Sequence, residues 1–203
     1  MFKKLAADAL GLSDIGKVIS PEHYGDVDSD DYIFEEEGEK IYFLIKSKSD
    51  EYCFTNTALI HLDGTSAMSK KRMLNRYPYK DYNFSGVKLE TAGTIDLDIE
   101  VKFRMGKLEY SIDVDKKQIT QIKDLYKSLY KISSIQRENA AYLTYGNEAL
   151  EATVETMNRS KGEGVKLNDF SGINEYVFDV KMKNHKEFRQ EDFGEIFDKF
   201  INN

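Results

Sequence analysis

The chain has a single cysteine, Cys53, among its 203 residues. No internal disulfide can form and no multi-thiolate zinc site can be assembled, which fits a reducing compartment. Histidine is nearly as scarce: His23, His61 and His185 are scattered along the chain, and a lone histidine is more often structural than an acid or base. No stretch approaches the roughly 20 apolar residues that a membrane-crossing helix needs. The opening MFKKLAADAL places Lys3 and Lys4 before a few apolar residues, but Asp8 interrupts a run already too short for a signal peptide. There is no lipidation pattern. The expectation is a cytoplasmic protein without a transmembrane segment, whose membrane contacts, if any, are peripheral. A phosphate-cradling glycine loop is also missing, because GEG at 162–164 reads as a turn between helices. Basic residues are outnumbered, 29 against 36 acidic, for a net charge of −7. That balance disfavours binding to a nucleic-acid backbone. No cofactor is expected.

What is present is periodicity, in three regimes. From 1 to 38 the pattern is irregular, an N-terminal lead-in in which Ser20 caps a short helix begun by Pro21. From about 40 to 114 apolar residues alternate with polar ones, the period of half-buried strands. In TIDLDIEVKF, Ile95, Leu97, Ile99, Val101 and Phe103 share one side and Asp96, Asp98, Glu100, Lys102 and Arg104 the other. Gly106 then marks a hairpin into KLEYSIDV. Earlier strands are legible in KIYFLIKS, EYCFT, ALIHLD, MLNRYPY and FSGVKLET, about seven antiparallel strands in all. Pro78 cannot donate to a ladder, so its strand lies at an edge or ends there. Such strands imply a sandwich or barrel.

After Val114 the period becomes helical. Asp115 and Gln118 form a capping box, and Ile119, Ile122, Leu125, Tyr126, Leu129 and Ile132 mark one stripe. Helical composition continues to about 158, through Leu143, Leu150 and Met157, with Gly146 a point of interruption. RSKGEG is a turn, Asn168 or Asp169 caps a second helix, and Phe170, Ile173, Val177 and Val180 form its seam. A last amphipathic stretch carries Phe193, Ile196, Phe197 and Phe200.

Seven strands followed by a capping helix is the layout of pleckstrin-homology-like domains. The stretch EYCFTNTALIHLDG at 51–64, together with YPY at 77–79, resembles the bacterial pleckstrin-homology (PH) family, in its YvbH-like subset with a C-terminal helical-hairpin extension. The resemblance implies an α+β fold: a PH-like seven-stranded antiparallel sandwich or barrel over 1–130, lead-in 1–38 included, capped by a helix and followed by a helical hairpin over 131–203. It further implies no catalysis and a tendency to assemble into rings. Eukaryotic relatives bind phosphoinositides through basic residues on the first hairpin. Here IKSKSDEYCFT offers Lys46 and Lys48 but continues with Asp50 and Glu51 and has no arginine, which argues against that ligand.

Three groups of residues remain as candidate sites. Asp26, Asp28, Asp30, Ile33 and Glu37 match a calcium loop in spacing, but Asp31 stands where a sharp turn calls for glycine and no long helices flank the stretch. An acidic connector is the preferred reading. Lys70, Lys71, Arg72, Arg76 and Lys80 make a basic patch for an anionic surface or partner, or else a charged edge strand guarded against aggregation. Tyr142, Tyr145, Tyr176, Phe188 and Phe193 exceed what one helical seam needs, which suggests an interface or docking onto the sandwich. Alternation places His61 with Leu59 and makes Cys53 a small strand hydrophobe. The leading expectation is a noncatalytic scaffold that forms a homo-oligomer, in a closed ring, and presents the hairpin to an unidentified protein partner. The alternative is a module that binds a peptide at a sheet edge or an anionic membrane through the 70–80 patch.

Overall fold

The computed structural model describes residues 15–64, 72–91, 98–160 and 167–201. Lys70, Lys71, Ile95 and Leu97 lie outside them, as do the residues before 15. Among the described residues there are eight strands in two antiparallel sheets. The first sheet has the order β1 (Lys17–Val18), β2 (Ile41–Lys46), β3 (Glu51–Thr55), β4 (Ala58–Gly64) and β5 (Arg72–Pro78). The second is β6 (Phe84–Thr91), β7 (Asp98–Met105) and β8 (Leu108–Asp115). The two-residue β1 adds to the seven strands expected; it is too short to show alternation. Pro78 both ends β5 and stands on the sheet's edge strand. Gly106, at φ +60°, supplies the left-handed turn between β7 and β8.

Register explains why β2 reads as a continuous apolar run. Leu44 pairs with Cys53 and Cys53 with Ile60, forming one row, while Phe43, Phe54 and Leu59 form the opposite row. The Phe54 row meets the second sheet, where Phe54 packs edge-on to Phe103 at 6.0 Å. The Leu44–Cys53–Ile60 row would face water on an ordinary open sheet. Instead Ile19 and Val27 of the lead-in complete a core with it, and Tyr24, Ile33 and Ile41 pack alongside. Residues 21–37 do this as three 3-10 turns, Pro21–Asp26, Asp28–Tyr32 and Glu35–Glu37. Pro21 opens the first turn as expected, but Ser20 makes no side-chain cap bond.

The helix α1 runs from Ile119 to Ser160. Its first turns lay Ile122, Leu125, Leu129 and Ile132 into the sandwich, all fully buried, each contributing roughly 1.5–3 kcal/mol. The expected capping box is corrected. Asp115 accepts from the Lys117 N–H at 2.9 Å, but Gln118 turns away to clasp both backbone groups of Val18, accepting from its N–H at 2.7 Å and donating to its C=O at 2.9 Å. The unpaired edge of β1 outcompetes the cap for that amide.

The chain divides into two compact units, 1–133 with 191–203, and 134–190. In the second, α1 continues unbroken through Gly146 and meets α2 (Leu167–Phe188). Tyr142 packs on Phe188 at 5.6 Å, and a Cβ at Gly146 would lie 2.6 Å from Asn184 Nδ2. Gly146 therefore permits close approach rather than interrupting the helix. Asn168 and Asp169 fall inside the first turn of α2 instead of preceding it.

The last stretch departs from a hairpin that extends to 203. Residues 191–201, including α3 (Gly194–Ile201), dock on the sandwich. The Phe193 N–H donates to Asn56 C=O at 2.8 Å, Asn56 Nδ2 donates to Asp192 at 2.7 Å, and Tyr42 stacks on Phe197 at 5.3 Å. Strong amphipathicity without a partner strand in sequence gave no sign of where this segment would pack.

Candidate functional site

The acidic lead-in and the basic strand meet each other. On β5, Arg76 lies opposite Ile60 and Arg72 opposite Gly64, so both arginines rise from the face that the lead-in covers. Arg76 Nη2 binds both carboxylate oxygens of Glu39 at 2.7 Å, and the guanidinium carbon Cζ lies 4.4 Å from the centre of the Phe34 ring. Glu39 also accepts from the Phe34 N–H and from the hydroxyls of Thr55 and Thr57. Burial alone would raise the Glu39 pKa, but these donors outweigh it and hold the carboxyl below its ordinary range. Arg72 bridges Asp28 at 2.6 Å and Glu51 at 3.3 Å.

Glu51 is the centre of the arrangement. It is wholly buried, pairs with the buried Lys46 and accepts from the Ser29 N–H at 2.9 Å. Here too burial pushes the pKa up, and the Lys46 charge and hydrogen bond, with the Ser29 N–H, more than reverse it. Lys46, one of the two lysines of the first hairpin, is thus engaged inside the molecule. Lys80, the remaining described member of the basic patch, bonds Glu191 at 3.0 Å. Of the calcium-like stretch, Asp28 binds Arg72 and Asp26 lies 3.2 Å from His23. Among the described residues no group of three acids, histidines or cysteines converges as a metal site.

On the opposite sheet face, His61 stacks on Tyr52 at 4.4 Å, meets Tyr110 edge-on at 5.7 Å and lies 3.2 Å from Asp50. Burial pushes the Tyr52 and Tyr110 phenols well above the usual range. Cys53 is fully buried and its thiol is pushed up by the same cause, so it is not poised as a nucleophile.

The aromatics of the hairpin separate into two kinds. Phe193 is 1% exposed and packs on Tyr79, inside the sandwich unit. Phe188 is half-buried against Tyr142. Tyr142, Tyr145 and Tyr176 are exposed. Exposed with them are Met157, Phe178 and Met182; periodicity did not single out Phe178, which sits one residue off the seam of Ile173, Val177 and Val180. The signal was there in YVF, where an unbroken apolar run exceeds what one seam can bury. Between the helices, Leu150, Val154, Met157, Ile173, Tyr176 and Val177 line an open apolar groove. Among the described residues no helix is long and apolar enough to cross a membrane.

Comparison with known proteins agrees with this architecture. Residues 9–133 match the family described as bacterial PH domain, and residues 144–203 match the YvbH-like oligomerisation region. YvbH of Bacillus subtilis (strain 168) is 48% identical, with all of both chains covered. The crystal structure of a PH domain-containing protein from Exiguobacterium sibiricum 255-15 is 46% identical and superposes with a TM-score of 0.86, covering 93% of this chain and 100% of that one. These matches include no enzyme family. The chain belongs to the bacterial PH domain family, in the YvbH-like form that carries a C-terminal oligomerisation region.

Proposed function

We propose that this protein is a noncatalytic, self-associating scaffold of the cytoplasm, in which a PH-like sandwich is carried into a closed assembly by a helical hairpin. One observation carries the reading. The unit 134–190 leaves Tyr145, Tyr176 and Phe178 exposed beside an apolar groove, more apolar surface than a two-helix unit buries within itself. The match of 144–203 to an oligomerisation region supports a second copy as its cover. The described members of the basic patch on the sandwich, Arg72, Arg76 and Lys80, are already engaged with carboxylates within the chain, and an arginine already held by a carboxylate has less to offer an anionic lipid.

The test is the absolute mass of the full-length protein by light scattering after size exclusion, over a range of loading concentrations. A defined multiple of 23.4 kDa is expected, with a cyclic arrangement closing at a fixed number. Monomer at every concentration would overturn the reading and turn attention to a peptide partner along the edge of β5.

A further inference from the structure

Beside the paired Arg76 and Glu39, the sandwich unit holds a cleft of about 290 Å³, lined by Phe34, Glu37, Thr57, Pro78, Lys80 and Glu191. Ordinary small-molecule sites run to roughly 300–1,000 Å³, so this one is on the scale of a single long side chain. Phe34 forms one wall. It is 50% exposed, and the Arg76 guanidinium covers part of its ring. Its backbone is fixed nonetheless. The Phe34 N–H donates to the Glu39 carboxylate at 3.0 Å, and the Phe34 C=O accepts from the N–H groups of Glu37 and Glu39 at 3.0 and 3.1 Å. A ring presented half in water on a fixed backbone loses little freedom when a partner covers it. The charges of the cleft do not cancel. Arg76 is held by Glu39 and Lys80 by Glu191, which leaves Glu37 exposed and without an ion pair among the described residues. Glu35 and Glu36, exposed on the same turn, add to its sign. Lys40, the nearest base in sequence, lies over the Tyr42 ring instead.

We propose that this cleft binds an arginine side chain of a partner protein, with the guanidinium on the uncovered part of the Phe34 ring and bonded to Glu37. Arginine suits the site better than lysine, because a planar guanidinium can lie on an aromatic ring and donate to a carboxylate at the same time. Arg76 already does both, with Phe34 and Glu39. An anionic ligand is disfavoured, since three carboxylates line the cleft against two cations that already have partners. The site lies wholly within the sandwich unit and does not depend on the self-association argued above. In an assembled scaffold it would recur once per copy, so that a weak contact gains by repetition.

A library of short random peptides displayed on phage and panned on the immobilised full-length protein tests the assignment, with the Glu37→Gln and Phe34→Ala proteins as parallel baits. Glu37 is exposed and outside every ion pair, so its replacement should leave the melting temperature unchanged. Peptides selected on the unsubstituted protein should share one arginine. Synthesised with citrulline at that position, which keeps the shape and removes the charge, they should bind about tenfold more weakly, the scale of a truncated hot-spot contact. The arginine peptides should lose about as much on Glu37→Gln and on Phe34→Ala. A library that yields no binder, binders without a common arginine, or arginine peptides that bind both variants as well as the unsubstituted protein would overturn the proposal. So would an assembly mass by light scattering that falls with Glu37→Gln, which makes a second copy the occupant. Arginine-dependent binding by a protein that stays monomeric would uphold the cleft and overturn self-association alone.

Discussion

The five-stranded sheet and the hairpin face the same problem and solve it differently. Each has a second apolar face beyond the one its own partner elements bury. On the sheet, the Leu44–Cys53–Ile60 row is covered by the chain's own lead-in, and the cover is fixed by Arg72 and Arg76 gripping Asp28, Glu51 and Glu39. On the hairpin, Tyr176, Phe178 and Met182 stay exposed and no ion pair ties a strap across them among the described residues. Apolar surface closed in cis makes a stable domain, and the same surface left open makes an interface.

The sharpest way to break the comparison is to remove the charge that fixes the cover. Glu51→Ala leaves Lys46 buried without its partner and should destabilise the sandwich by about 3–5 kcal/mol, read from urea unfolding of the full-length protein. Replacing both partners, Lys46→Met with Glu51→Leu, should restore most of that loss; a double variant as unstable as the single would refute the ionic explanation. Next in size is Glu39→Gln, expected to cost about 1–3 kcal/mol by weakening the hold on Arg76 and the two threonine hydroxyls. Its pH signature is specific. Glu39 and Glu51 are both held below their ordinary value of 4.5, so their stabilisation is full above that value and is lost as pH falls through the folded values. The melting temperature of the unsubstituted protein should therefore drop on the acid side, and Glu39→Gln should flatten that limb. The smallest effect belongs to Lys80→Ala, whose exposed pair with Glu191 should contribute about 0–1 kcal/mol and less at high salt.

How much of this was legible in the sequence follows the range of each interaction. Strands β7 and β8 and the stripe Ile122, Leu125, Leu129 and Ile132 declare themselves, because periodicity is local. The resemblance carried by residues 51–64 led to the right family. The destination of the lead-in was hidden, since 3-10 turns have no apolar period and Asp28 meets Arg72 across a sequence separation of 44. The acidic stretch read as a connector, and the basic patch as either a surface for an outside partner or a guarded edge strand; neither reading pointed to the pairing of Asp28 with Arg72. The docking of Phe193 and Phe197 was invisible for a similar reason, because the cavity they fill is built from Tyr42 and Tyr79, far away in the chain. The surplus of aromatics on the hairpin was legible as a surplus, though Phe178 stood outside the seam that drew attention.

The central claim is that one apolar face is covered within the chain and the other between chains. Hydrogen exchange followed by mass spectrometry, on the full-length protein at concentrations spanning its assembly, tests it most directly. The account predicts that amide protection over residues 142–188 rises with concentration while protection over β2 to β4 and the 21–37 turns stays constant. Protection that changes in the sandwich instead, or that is independent of concentration everywhere, would contradict it.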